Sequence, residues 1–82
     1  MTIDFEEQTV TEEEFAQFDE KQLYGFLGND LIPVSQRMRL LWYLRVQTDK
    51  ERAIRILAGG LNSSSVLLKH EICYVMGQLG NL

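Results

Sequence analysis

The chain carries a single histidine, His70, and it stands beside a carboxylate in the run Leu67-Leu68-Lys69-His70-Glu71-Ile72-Cys73-Tyr74-Val75-Met76-Gly77-Gln78-Leu79-Gly80. Imidazole and carboxylate are both metal-capable, and a pair on one rigid element can address a shared centre. At about 100° per residue, Leu68, Ile72, Val75, Met76 and Leu79 gather on one side of a helix. His70, Glu71 and Tyr74 fall on the opposite side, with Leu67 and Gln78 among them. The pair therefore points away from the core, in a mixed setting that reads as part of a pocket. A bare His-Glu pair is by itself a weak signal.

Other reactive or aromatic side chains read more blandly. Cys73 has no second histidine to activate it, so it reads as a small buried or boundary thiol. Trp42 and Tyr74 are expected to pack, half-buried, between neighbouring structural units. Arg37, Arg39, Arg45, Lys50, Arg52, Arg55 and Lys69 are spread over three helical segments without an aromatic-interleaved groove. They read as solvated faces, and no nucleic-acid partner is expected.

Composition sets the frame for these residues. Eighty-two residues with 45% hydrophobic and 24% charged content suit one small globular domain. No apolar run approaches the ~20 residues of a membrane-spanning helix, so no membrane partner is expected. The acidic N-terminus lacks the basic start of a secretory signal, and a lone cysteine suits a reducing compartment, so the chain reads as cytoplasmic. Charge is lopsided. Eight of the twelve acidic residues precede Lys21, the first basic one. Residues 1–10 read as an acidic, disordered arm.

The rest reads as all-α, in four helical segments. Thr11 and Glu14 have the spacing of a capping box, and Phe15, Phe18, Leu23, Phe26 and Leu27 continue that helix as an apolar stripe. Gly28-Asn29-Asp30 ends it, and Pro33 suits the first turn of a second helix to about Arg45, burying Leu40, Tyr43 and Leu44. Thr48 and Glu51 suggest a further capping box for a third helix, with Ala53, Ile54, Leu57 and Leu61 on its apolar side. Gly59-Gly60 then predicts fraying or close approach to a neighbouring helix. Asn62-Ser63-Ser64-Ser65 is rich in cap residues, and a fourth helix follows to Gly80.

The second and fourth segments align. Val34 to Leu44 lies over Val66 to Met76 at an offset of 66 − 34 = 32 residues, with Arg37 over Lys69, Leu40 over Ile72 and Trp42 over Tyr74. A helical hairpin recurring at this period predicts a HEAT-like α-solenoid. Met38-Arg39 takes the place of His70-Glu71 in the first unit, which reads as an entry cap without ligands. Two units are fewer than the ~3 that solenoids normally need. Residues 11–82 are therefore expected to be truncated before a C-terminal cap, with the last helix open to self-association.

Ser65 to Leu79, with its Leu-Leu-Lys-His-Glu segment followed by Gly-Gln, resembles the first His-Glu segment of deoxyhypusine hydroxylase. Arg37 to Arg45 resembles that family's preceding unit, and Val10 to Glu14 is compatible with it. The resemblance implies the N-terminal portion of a HEAT-repeat monooxygenase with a non-haem di-iron centre, acting on the deoxyhypusine form of translation initiation factor 5A. It further implies four His-Glu motifs in the complete enzyme, of which this chain holds one. His70 and Glu71 are then an incomplete iron site, and the chain alone is expected to be inactive and to lack bound iron. The alternative is a non-catalytic HEAT-repeat scaffold that binds a protein partner.

Overall fold

A computed structural model of the chain describes residues 10–80, and every described element is helical. The acidic arm expected over residues 1–10 lies, but for Val10, outside the described residues. The first helix, α1 (Glu12–Gln17), opens on the expected capping box: Glu14 N–H donates to Thr11 Oγ1 (3.2 Å) and Thr11 N–H to Glu14 Oε1 (3.3 Å). It does not run on through the apolar stripe. Phe18 is extended, and Asp19 starts a separate helix, α2 (Glu20–Gly28).

This corrects the single helix expected there. Asp19 and Gln22 form a second capping box, with Gln22 N–H donating to Asp19 Oδ1 (2.7 Å) and Asp19 N–H to Gln22 Oε1 (2.9 Å). The Asp carboxylate satisfies an N–H that a continuing helix would have bonded to a carbonyl, so the chain turns at no loss of hydrogen bonds. The turn carries α1 onto the next helix, α3 (Val34–Arg45). Phe15, buried, there meets Tyr43 at 5.6 Å and Phe26 edge-on at 5.7 Å between ring centroids.

Helix α4 (Lys50–Leu57) starts one residue later than expected. Asp49, not Thr48, accepts from Arg52 N–H (3.0 Å), a carboxylate being the stronger partner for a helix N-terminus. It tightens into a 3-10 turn, Ala58–Asn62, before α5 (Val66–Gly80). Leu68 N–H donates to Ser65 Oγ (3.1 Å), so the serine-rich turn does cap α5.

These helices make two stacked hairpins, α2/α3 and α4/α5, with α2 against α4 and α3 against α5. The HEAT-like all-α expectation holds. The core runs between the layers through Leu23, Leu27, Leu40, Leu57, Leu68 and Ile72, each fully buried. Each such side chain stabilises by roughly 1.5–3 kcal/mol relative to exposure.

Gly59 and Gly60 do not fray. They are buried where the 3-10 turn meets α2, and a Cβ at Gly28 would lie 2.6 Å from the Gly59 carbonyl oxygen. The same stacking explains why repeat-equivalent residues differ. Leu41 is buried because α3 has α1 on one flank and α5 on the other; Cys73, its equivalent 32 residues on (41 + 32 = 73), is exposed because α5 packs only on α3 in that layer among the described residues. The expected buried or boundary thiol is thus corrected. Ile56, absent from the expected apolar side, is buried, whereas Leu61 is exposed because the 3-10 turn shifts it off the helical register.

Candidate functional site

Helix α5 presents Leu68, Ile72, Val75 and Leu79 to the core, and so turns the second turn of its other face outward with His70 and Glu71 on it. The imidazole is 79% exposed and the Glu71 side chain 31%. His70 Nδ1 lies 3.9 Å from Glu71 Oε1, beyond hydrogen-bond distance. Two potential ligands from adjacent positions thus stand side by side on the exposed face of the helix. Leu67 and Tyr74 flank them, both exposed, and Trp42 is 47% exposed on α3 with the Arg45 guanidinium 5.6 Å over its ring. Trp42 is thus about half buried, beside Val10, Glu12 and Phe15, whereas Tyr74 is more exposed than the half-buried packing expected of it.

The donor types fit an iron site; their number does not. Among the described residues no group of three or more His, Cys, Asp or Glu side chains is placed to hold a metal ion. His70 and Glu71 amount to a half-site that needs ligands from elsewhere.

Sequence reading missed a polar cluster before the start of α5. Arg37, expected on a solvated face, is 2% exposed. Its Nε donates to the Ile32 carbonyl (2.9 Å), and its Nη1 to Ser63 Oγ (2.8 Å) and the Leu27 carbonyl (3.3 Å). Asp30 faces it at 3.4 Å and accepts from the Ser63 hydroxyl (2.8 Å) and Ser64 N–H (3.1 Å). Ser63 Oγ in turn accepts from Ser65 N–H (3.0 Å). The guanidinium sits buried because carbonyls and hydroxyls satisfy its donors. The available signal was Asp30 in the loop before Pro33, seven residues ahead of an arginine that follows the first turn of α3.

Electrostatics adds a pH dependence. Hydrogen bonds from the Ser63 hydroxyl, then from Ser64, hold the Asp30 carboxyl below the usual aspartate range, with the Arg37 charge adding to them. Glu20 is also lowered, first by its hydrogen bond from Arg55, whose Nε and Nη2 donate to the two carboxylate oxygens at 3.1 Å each and tie α2 to α4. A lowered carboxyl stabilises the fold fully above its unfolded value and loses that stabilisation as pH falls through the folded one. Thermal stability is expected to hold from about pH 7 to about pH 5 and fall toward about pH 3. Asp30→Asn should shrink the acid loss in melts followed by circular dichroism; an undiminished loss would count against the Asp30 contribution.

The chain is 39% identical over 64 residues to a deoxyhypusine hydroxylase of Eremothecium gossypii, 43% over 61 residues to that of Saccharomyces cerevisiae, and 40% over 65 residues to that of Mycosarcoma maydis. These matches cover 78%, 73% and 73% of this chain. Over about three quarters of its length, the chain is similar to the N-terminal part of deoxyhypusine hydroxylases. It spans about a fifth of those relatives, 20%, 18% and 18% of their lengths. No protein-family profile matches the chain, and no solved structure does. No helix among the described residues is long and apolar enough to cross a membrane.

Proposed function

We propose that this chain is the N-terminal portion of a deoxyhypusine hydroxylase solenoid, in which His70 and Glu71 supply one pair of ligands to a non-haem di-iron centre. The observation that supports the reading is the exposed, neighbouring imidazole and carboxylate on α5, set in a sequence matched to relatives of that name. Iron in such a centre supplies dioxygen activation for hydroxylation. The residues of this chain hold part of the centre and present Leu67 and Tyr74 beside it, where the side chain of a protein substrate can lie. That substrate is the deoxyhypusine form of translation initiation factor 5A, met in the cytoplasm. Residues 11–82 act as the two entry repeats, and the chain by itself is inactive because its site is incomplete.

A chimera tests this directly. Residues 10–80 replace the matched segment of the Saccharomyces cerevisiae relative, and iron per chain is measured after anaerobic Fe(II) loading and desalting. The chimera is expected to retain iron and hydroxylate its protein substrate. His70→Ala in the chimera should reduce iron retention at least about tenfold, the scale on which metal sites respond to changes in and around the ligands. A folded chimera without iron, or one indifferent to His70→Ala, would overturn the ligand assignment.

The exposed Leu67, Tyr74 and Trp42 favour a second reading, a non-catalytic HEAT-repeat scaffold for a protein partner. Self-association through α5 is one form of it, and a concentration-independent monomer mass in solution would exclude that form. The folded, iron-free chimera is the outcome that selects the scaffold.

A further inference from the structure

The cluster around Arg37 joins three parts of the chain that the helical layers alone leave adjustable. Its guanidinium binds carbonyls at the end of α2 and in the loop before α3, and it reaches Ser63 beyond the 3-10 turn. Asp30 closes the cluster onto Ser63 and Ser64. From Ser63 the bonding passes to Ser65, whose hydroxyl and carbonyl accept the Leu68 and Lys69 N–H groups at 3.1 and 3.0 Å. A continuous run of hydrogen bonds therefore links the first repeat to the start of the second repeat's last helix.

We propose that Arg37 and Asp30 are positioning residues for the His70-Glu71 pair, acting through Ser63 and Ser65 to set the start and rotation of α5. The inference rests on the reading of that pair as metal ligands only for its functional consequence. His70 stands five residues after Ser65, about 7.5 Å along the helix. Slippage of the cap by a single residue would rotate the outward face by about 100° and move it by about 1.5 Å. Lys69 or Glu71 would then stand in the direction His70 now takes. The pair's own surroundings do not restrain it: His70 is 79% exposed and lies 3.9 Å from Glu71. Its direction follows from the rotation of α5, which the capped start and the buried Leu68, Ile72, Val75 and Leu79 hold together.

Among the described residues, the second repeat shows no equivalent device. The positions 32 residues after Asp30 and Arg37 are Asn62 (30 + 32) and Lys69 (37 + 32). Asn62 donates instead to the Tyr24 hydroxyl (3.3 Å). The clamp belongs to the junction that precedes the His-Glu pair.

The test uses amide hydrogen exchange by NMR on the full chain, comparing wild type, Asp30→Ala, Asp30→Asn and Arg37→Met. Leu68 and Lys69 report the helix start, and Val75 reports global opening. In Asp30→Ala, exchange at Leu68 and Lys69 should quicken by about tenfold more than at Val75, as expected for local rather than global opening. Asp30→Asn keeps an oxygen for Ser63 and Ser64 and should restore most of the protection. Equal changes at all three amides, or no change at Leu68 and Lys69, would overturn the positioning role.

Co(II) titration gives an independent spectroscopic readout at the His70 ring protons. Weak Co(II)-induced shifts in wild type, lost in Glu71→Ala and reduced in Asp30→Ala, support the role at the metal pair itself. Selective loss of Leu68 and Lys69 protection with no Co(II) response in wild type upholds the positioning role and counts against the ligand reading alone.

Discussion

Replacing Ile72 with alanine is expected to remove about 2–5 kcal/mol of stability, the range for truncating a fully buried branched side chain. Ile72 has no exposed surface, and its Cδ1 is the atom nearest the space above Gly60. The loss thus opens a cavity at the contact between α5 and the 3-10 turn. A chain of this size has roughly 4–12 kcal/mol in total, scaling from about 0.05–0.15 kcal/mol per residue. The loss is therefore a large fraction of the whole. Tyr74→Ala, on the exposed side of the same helix, should change stability by no more than about 0.5 kcal/mol. Urea unfolding of the two variants checks the contrast, and equal losses would mean that α5 is not oriented as described. Because Ile72 follows Glu71 directly, its burial is also what keeps the His-Glu pair on the outer face.

Gly59→Ala should lower stability by about 1–3 kcal/mol, toward the upper end because the obstructing atoms are backbone. A Cβ there would run into the Tyr24 carbonyl oxygen and lie 2.8 Å from both the Tyr24 carbonyl carbon and its Cγ. No side-chain rotation clears a carbonyl, so α2 and the 3-10 turn must separate. For a domain of this size, each 1 kcal/mol shifts the melting temperature by about 4–8 °C. Gly25→Ala supplies the control. Gly25 lies inside α2 with nothing within 4 Å of a Cβ, and alanine there should stabilise by about 0.5–1 kcal/mol. If both substitutions stabilise, the close approach of the hairpins is wrong. The two glycines have the same composition signal in sequence and opposite consequences in the fold.

That difference shows why some features were legible and others were not. Thr11 with Glu14, and the serines before α5, act through hydrogen bonds between residues two or three apart, which local pattern reveals. Asp19 with Gln22 has the same form, yet it was hidden inside an apolar stripe that suggested one continuous helix. Thr48 and Asp49 both offered caps, and only the backbone path shows that Asp49 takes the role. For Arg37, local pattern pointed the wrong way, since an arginine on an amphipathic helix is normally solvated. Its burial depends on Ser63, 26 residues away, and on the Leu27 carbonyl across the hairpin.

The sequence by itself determined the all-α class, the 32-residue repeat and the outward face of α5 that carries His70 and Glu71. Those follow from helical periodicity and local caps, both of which act within a few residues along the chain. Tertiary structure alone decided the break between α1 and α2, the burial of Arg37, the exposure of Cys73 and Tyr74, and the contact of Gly59 with α2. Each depends on which helix lies beside another, and that is governed by stacking between segments distant in sequence.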